Sequence, residues 1–217
     1  MPDRVYLDWN ATTPLRPEAR QAMAAAWDVA GNPSSVHAEG RQARRLVEDA
    51  RDAVATAVSA RRQDVVFSSG GTVAYALALT PGLRRAGGEP ARRLLVSAIE
   101  HASVLSGGRF AAEAIATIKV SGAGLVDLEH LRERLAEGAP ALVSVMLANN
   151  ETGAIQPIGD IAEIVRAAGG LLHVDAIQGL GKIPFAINSI KADLITLSAH
   201  KNGGPKGVGA VVVYEDV

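Results

Sequence analysis

Short runs of apolar, often β-branched residues alternate along the chain with amphipathic stretches rich in Ala, Arg and Glu. Most of the apolar runs are nearly continuous in hydrophobicity, which is typical of strands that are covered on both faces. The predicted strands are Val65–Ser68, Arg93–Ala98, Ala116–Val120, Leu142–Leu147, Leu171–Asp175, Leu194–Ser198 and Gly209–Tyr214.

The amphipathic stretches between these runs predict helices. They are Pro17–Val29, Gly40–Val58, Thr72–Leu79, Ser103–Ala114, Asp127–Glu137 and Ile158–Ala168. Alternation of this kind predicts an α/β fold, a mostly parallel seven-stranded sheet flanked by helices. The first forty residues differ, because they contain turn signals (TTP, GNPSS) and a single helix. We therefore expect an N-terminal arm, residues 1–40, and a main domain, residues 41–217.

Polar and glycine-bearing segments follow the strands. They are SSGGT, IEHAS, ANNETG, DAIQ and SAHKNGGPKG. Ligands of open α/β sheets bind outside the carboxyl ends of the strands. The sequence therefore predicts a functional site at one edge of the sheet.

Composition narrows the classes of function. The net charge of −1 gives no electrostatic reason to expect nucleic acid or a membrane surface as a partner. The chain contains no cysteine, which excludes disulfides, thiolate metal sites and a cysteine nucleophile within it. Its polar start does not resemble a signal peptide, and no apolar run is long enough to span a bilayer. A cytoplasmic protein is expected.

Lys201 directly follows a predicted strand and lies in a Gly/Pro-rich loop. A lysine in a pocket can lose its proton by desolvation and attack a carbonyl as an amine, although an isolated lysine in a loop is more often simply exposed. Asp175 ends an apolar strand, where a carboxylate needs a partner such as a protonated pyridine nitrogen, or else caps a helix. Gln178 could donate to the phenolic oxygen of such a ring. His173 shares a strand face with Asp175, but a histidine in that position is more often a core residue with its hydrogen bonds satisfied.

Three weaker signals lie after other strands. Ser68–Thr72 joins a strand to a helix, and its free backbone N–H groups could bind an anion. His101 is an aromatic base candidate, and Asn150 could supply an amide donor. Each could equally belong to an ordinary turn or cap. Their joint occurrence at successive strand ends makes one shared site the better interpretation.

At this point the chain resembles the cysteine desulfurases, a branch of the class V aminotransferase family of fold type I pyridoxal 5′-phosphate (PLP) enzymes. The matching stretches are YLDWNATTP, GNPSSVH, FSSGGT, EHASV, ANNETGAIQPI, HVDAIQGLGK and SAHKNGGPKGVGA. HVDAIQ and SAHK, with the lysine 26 residues after the aspartate, are highly specific together. The resemblance implies that residues 41–217 are the PLP-binding large domain and that the arm is part of the family's small domain.

The resemblance also implies roles for individual residues. Lys201 holds PLP as a Schiff base, and His101 stacks on the ring and assists proton transfer. The remaining residues bind the cofactor: Asp175 at the pyridine nitrogen, Gln178 and Asn150 at the phenolic oxygen, and Thr72, Ser198 and His200 at the phosphate. Asn32 belongs to the segment on the substrate side.

The family reaction converts L-cysteine to L-alanine and transfers the sulfur to an enzyme thiol, in iron–sulfur cluster biogenesis among other uses. The resemblance implies a homodimer and a sulfur-acceptor or scaffold protein as partners. Two features depart from the family. The loop Gly71–Ala74 lacks the usual acidic residue and the amide that follows it, and the family's persulfide cysteine and substrate-binding arginine come well after the lysine. We therefore expect a fragment that lacks the C-terminal domain and is inactive alone.

Two alternatives stay open. A selenocysteine lyase or a small-amino-acid aminotransferase of class V would share the aspartate and the lysine. A non-enzymatic PLP-binding homologue would fit the absent cysteine and the altered loop.

Overall fold

The computed structural model describes residues 4–183, 191–214 and 217. Residues 1–3 of the predicted arm, and 184–190 and 215–216 of the predicted main domain, lie outside the described residues. Seven strands are described, and each coincides with a predicted one to within a residue or two. They are β1 (Val65–Ser68), β2 (Arg93–Ser97), β3 (Ile115–Ile118), β4 (Ala141–Met146), β5 (Leu171–Asp175), β6 (Leu194–Ser198) and β7 (Gly209–Val213).

The strands form one sheet in the order β1-β7-β6-β5-β4-β2-β3. All neighbours from β6 to β3 are parallel, and β7 runs antiparallel to both β6 and β1. The prediction of a mostly parallel seven-stranded sheet is confirmed. Because β1 and β6 both oppose β7, their last residues, Ser68 and Ser198, are each paired with Gly209. The carboxyl ends of β1, β2, β4, β5 and β6 therefore lie at the same edge.

Six α-helices are described: α1 (Pro17–Trp27), α2 (Ala38–Ala57), α3 (Gly71–Ala78), α4 (Ala102–Leu105), α5 (Leu128–Ala136) and α6 (Ile158–Ala167). Side chains from α2, α5 and α6 pack with one face of the sheet, and side chains from α3 and α4 pack with the other. Successive residues of β5 alternate between the two cores, Leu171 to one and Leu172 to the other. This explains why the strands show nearly continuous hydrophobicity.

The prediction of a helix over Ser103–Ala114 is wrong beyond its first turn. Helix α4 ends at Leu105, and Gly107 and Gly108 follow with φ angles of +81° and +60°. A Cβ atom on Gly108 would lie 2.5 Å from the Cβ of Leu79, so the chain passes too close to α3 for any side chain there. Glycine is the residue that adopts this conformation without a steric penalty.

The arm lies across the sheet edge. Helix α1 contributes no buried residue. The segment before it is fixed by backbone hydrogen bonds, from Thr13 N to the carbonyl of His200 (2.8 Å) and from Arg16 N to the carbonyl of Gly203 (2.9 Å). In the described part of the chain, no helix has both the length and the apolar character to cross a membrane.

Candidate active site

A cavity of about 380 Å³ opens at the carboxyl edge of the sheet. All eight predicted site residues line it: Thr72, His101, Asn150, Asp175, Gln178, Ser198, His200 and Lys201. They come from the ends of five different strands, because parallel strands deliver their following loops to one edge. Asn32, by contrast, does not line this cavity; its side chain is exposed and accepts a hydrogen bond from Ser34 N (2.9 Å).

Lys201 lies at the end of a short 3₁₀ turn, Ala199–Lys201, that directly follows β6. Its Nζ donates to the backbone carbonyls of Asn10 (2.7 Å) and Ala11 (2.9 Å). Partial burial lowers the pKa of the Lys201 amine below its ordinary value, against the opposing attraction of Asp175 and other carboxylates. A larger share of neutral amine is the condition under which a lysine acts as a nucleophile.

Asp175 is buried at the carboxyl end of β5. Its Oδ1 accepts from the backbone N–H of Ile177 (2.9 Å), and its Oδ2 accepts from the hydroxyl of Tyr75 (2.6 Å). Burial raises its pKa, while both hydrogen bonds and the charges of His101 and Lys201 favour the ionised form. A buried carboxylate that faces a cavity is suited to bind a cationic ring nitrogen.

A second buried carboxyl, Glu100, lies close to this site. Its Oε1 accepts from Ser97 Oγ (2.9 Å) and from Met146 N (2.8 Å), and its Oε2 has no hydrogen-bond partner among the described residues. Burial, and next the charge of Asp175, raise the pKa of Glu100 well above its ordinary value. Burial and the charge of Asp175 therefore both favour the neutral form of Glu100.

The start of α3 and the end of β6 form one side of the cavity, the side where the sequence predicts an anion site. Gly70, with φ of +133°, turns the chain into α3, and Thr72 and Ser198 face the same space. The Ser198 Oγ is buried and has no partner among the described residues. Burial, followed by the nearby lysine charges, lowers the pKa of His200. Free backbone N–H groups, an unpaired hydroxyl and surrounding cations fit a phosphate group.

The opposite side is polar. Asn10 of the arm donates through Nδ2 to the carbonyl of Asn150 (3.0 Å), and its own carbonyl accepts from Gln178 Nε2 (2.9 Å). Lys182 donates to the side-chain oxygens of Gln178 and Asn10. These contacts bring both predicted amides, Gln178 and Asn150, to one side of the cavity.

His101 caps α4, since its Nδ1 accepts from Ser103 N (3.1 Å). An acceptor role for Nδ1 leaves the proton of the neutral ring on Nε2. His173 is a core histidine, as the sequence favoured: it is fully buried between Ser144 and Thr196, with ring nitrogens 2.8 and 3.1 Å from their hydroxyl oxygens. Burial lowers the pKa of His173 to about 3.

Several contributors were not predicted. Tyr75 on α3, and Asp8 and Asn10 of the arm, line the cavity, as does Glu151. Glu100 interacts electrostatically with Asp175. Tyr75 could have been found, because it follows Thr72 by three residues and so occupies the same helix face. The sequence offered no comparable signal for Asn10.

The residues present fit the PLP cofactor that the sequence resemblance implies. Ser198 carries a buried hydroxyl with no partner in the described part of the chain, beside the first N–H groups of α3; a buried carboxylate lies at Asp175, and a lysine amine of lowered pKa lies at Lys201. These three groups suit, in that order, the phosphate, the ring nitrogen and the aldehyde of a single PLP molecule.

Comparison with known proteins supports the family resemblance seen in the sequence. The family described as Aminotransferase class-V matches residues 5–217. A cysteine desulfurase from Cereibacter sphaeroides is 44% identical over 99% of this chain and 56% of its own length. The chain spans about half the length of the curated relatives it matches.

Solved structures show the same fold. The NifS-like protein from Rickettsia africae ESF-5 is 35% identical, with a TM-score of 0.86 over 99% of this chain and 60% of that one. A structure titled "SspA in complex with cysteine" is 28% identical, with a TM-score of 0.82 over 97% of this chain and 61% of that one.

Proposed function

This chain belongs to the class V aminotransferase family, and we propose that it is the cofactor-binding part of a PLP-dependent cysteine desulfurase, which converts L-cysteine to L-alanine. The observation that carries the proposal is that one cavity contains the Lys201 amine, the Asp175 carboxylate and a group of residues suited to an anion, namely Thr72, Ser198 and His200. Names of the relatives support the substrate, since they include cysteine desulfurases and a protein solved in complex with cysteine.

The cofactor would be held at three points. Lys201 would bind its aldehyde carbon, Asp175 would pair with its ring nitrogen, and its phosphate would lie on Thr72, Ser198 and His200. When bound, PLP supplies an electron sink for the bonds of the substrate's α-carbon.

The chain's own side chains would orient and protect the reacting groups. Gln178 and Asn150, brought together by Asn10, would donate to the phenolic oxygen. His101 would stack on the ring and hold a proton at Nε2, because its Nδ1 is already an acceptor.

The sulfur must leave to a thiol that this chain does not have, since it contains no cysteine. In the balanced step, the substrate C–S bond breaks, a thiolate sulfur forms an S–S bond with the departing sulfur, and alanine gains a proton. We propose that the thiol lies on a segment or sulfur-acceptor partner outside residues 1–217, and that the working unit is a homodimer. A cytoplasmic location suits the chemistry, because the cytoplasm keeps thiols reduced.

Titration with PLP followed by borohydride tests the cofactor site. We expect a yellow complex, and after reduction a cofactor-bearing peptide that contains Lys201. Lys119 provides the control, because it is exposed and does not line the cavity. Lys119→Ala should be labelled like the wild type and Lys201→Ala should not. Equal PLP binding by wild type and Lys201→Ala, with no labelled peptide in either, would refute the proposal.

Substrate identity needs a second measurement. Joined to the segment or partner that supplies the thiol, the chain should form alanine from L-cysteine. Faster alanine formation from L-selenocysteine would indicate a selenocysteine lyase, and a keto acid in place of alanine would indicate an aminotransferase. Cofactor binding without turnover of any of these would leave a non-enzymatic homologue.

A further inference from the structure

Tyr75 lies on α3 and lines the cavity. Its side chain is 4% exposed, and its hydroxyl donates to Asp175 Oδ2 over 2.6 Å. Burial and the charge of Asp175 raise the pKa of the phenol far above its ordinary value, so the hydroxyl remains a donor. The position falls within the stretch where the loop and helix depart from the family pattern.

Two histidines hold the phenol ring in this orientation. The ring stacks beside His101, with centroids 6.1 Å apart and an interplanar angle of 29°. It meets His173 edge to face, at 6.3 Å and 88°. His173 is itself fixed by hydroxyl partners on both ring nitrogens. The hydroxyl of Tyr75 is therefore aimed at Asp175 by packing as well as by its own hydrogen bond.

The bond decides how Asp175 is oriented. Ile177 N holds Oδ1, and Tyr75 holds Oδ2, so neither oxygen is free to rotate away. The charged or titratable groups that face this carboxylate are Tyr75 on α3, Glu100 and His101 after β2, and Lys201 after β6. Among these, Tyr75 alone forms a hydrogen bond with it.

We propose that Tyr75 is a positioning residue that fixes the Asp175 carboxylate toward the cofactor's ring nitrogen and shares its negative charge. This inference rests on the proposed function, because it assumes that a ring nitrogen is the partner of Asp175. Tyr75 touches both the carboxylate that would bind the ring and the histidine that would stack on it. A change of this one side chain should therefore alter the cofactor's environment without removing any group that holds it.

The first measurement needs no cofactor. In Tyr75→Phe, the carboxyl carbon signal of Asp175 should titrate at a pKa about one unit or more higher than in the wild type, because a hydrogen bond to the ionised form is lost. Tyr214→Phe is the matched control: its hydroxyl donates to the carbonyl of Val58 (3.2 Å) and touches nothing in the cavity. Its Asp175 should titrate as in the wild type.

The second measurement uses the loaded chain. Tyr75→Phe should bind PLP about tenfold more weakly, and the pH at which the bound cofactor changes its absorbance should move, whereas Tyr214→Phe should match the wild type in both. Borohydride should still label Lys201 in all three. Loss of labelling in the wild type would overturn the proposed function, whereas an unchanged Asp175 titration and PLP affinity in a folded Tyr75→Phe would overturn the role of Tyr75 alone.

If Tyr75→Phe does not fold, a third measurement tests the proposal without that substitution. The chain contains three tyrosines, so fluorotyrosine labelling gives three fluorine signals. In the otherwise unaltered sequence, PLP should shift the Tyr75 signal and leave that of Tyr214 in place. A Tyr75 signal that ignores saturating PLP would overturn the proposal.

Discussion

The Nζ atom of Lys201 donates a hydrogen bond to the backbone carbonyl of Asn10, 191 positions earlier in the chain, at 2.7 Å. A second carbonyl, that of Ala11, accepts at 2.9 Å. The arm therefore orients the amine at the cavity, while burial lowers the pKa of that amine. Attachment of an aldehyde requires the neutral amine, so its rate depends on pH through the pKa of Lys201.

The rate of covalent PLP attachment should rise with pH and reach half of its maximum below pH 10.5, the ordinary value for a lysine amine. The sign follows from the lowered pKa, because the neutral amine then appears at a lower pH. Borohydride quenching at timed intervals over a series of pH values measures it. Lys119→Ala, at an exposed position away from the cavity, should give the same profile, and a midpoint at or above 10.5 would contradict the prediction.

Ser198→Ala should have opposite effects on stability and on cofactor binding. An unsatisfied buried hydroxyl costs about 1–3 kcal/mol, so its removal should leave the cofactor-free chain as stable as the wild type or slightly more stable. The same change should weaken PLP binding about tenfold, since a phosphate contact is lost. Urea unfolding and PLP titration measure the two effects.

The control for that change is Ser144→Ala. The Ser144 Oγ lies 2.8 Å from His173 Nδ1 in the core, so its removal leaves a buried ring nitrogen without its partner. We expect a loss of about 1–3 kcal/mol in the free energy of unfolding. Destabilisation of equal size by Ser198→Ala would show that the Ser198 hydroxyl has a partner in the folded chain.

Glu100→Gln should be increasingly more stable than the wild type as the pH rises. The pKa of Glu100 is raised in the folded chain, so its contribution is fully present below about pH 4.5 and is lost as the pH rises toward the folded value. Gln cannot ionise, and its oxygen can still accept from Met146 N and Ser97 Oγ. The difference in unfolding free energy should grow by about 1.4 kcal/mol per pH unit within that window.

Urea unfolding over a pH series measures this difference. The exposed Glu113 offers a control, because Glu113→Gln should stay within about 0.5 kcal/mol of the wild type at every pH. A difference between Glu100→Gln and wild type that is flat with pH would mean that Glu100 is ionised when folded.

Arg85→Ala should destabilise the chain by about 3–5 kcal/mol, because it leaves the buried Asp193 carboxylate without its cation. Arg85 donates to both carboxylate oxygens (2.9 and 2.6 Å) and to the carbonyl of Gly170 (2.6 Å), and Asp193 also accepts from Leu172 N (2.7 Å). These contacts attach the loop after α3 to the start of β5. Urea unfolding with an unchanged m-value is the measurement.

Arg62→Ala is the exposed counterpart. Arg62 pairs with Asp52 at the surface, where its side chain is 51% exposed, and such pairs contribute about 1 kcal/mol or less. Equal losses of unfolding free energy in the two variants would mean that the Arg85–Asp193 pair stabilises the chain no more than a surface pair does.

The strands could be predicted almost to the residue. Leu171–Asp175 and Leu194–Ser198 carry apolar side chains on both faces, and a polar residue ends each of them where the sheet meets the cavity. The prediction of a helix over Ser103–Ala114 was wrong because hydrophobic periodicity carries no information about where two chain segments pack closely. Gly108 packs against Leu79, and that contact arises only in the tertiary fold.

The same distinction holds at the cavity. Asp175 and Lys201 could be placed in one site because the ends of parallel strands lie at one edge, and the family resemblance supplied their roles. Asn10 could not, because its position depends on the path of an arm without a repeating pattern. The partner of Tyr75 depends on how far α3 is rotated on the sheet, which the tertiary fold decides, and in the folded chain its ring lies beside His101 and His173.

Strand β1 is paired with β7, about 140 residues later in the chain. On a ribosome that adds about 5–20 residues per second, the first of these strands would emerge roughly 7–28 s before its partner. During that interval the edge of Val65–Ser68 that meets β7 in the folded chain has no strand to pair with. The sheet can therefore gain this edge strand only after Gly209–Val213 has been synthesised.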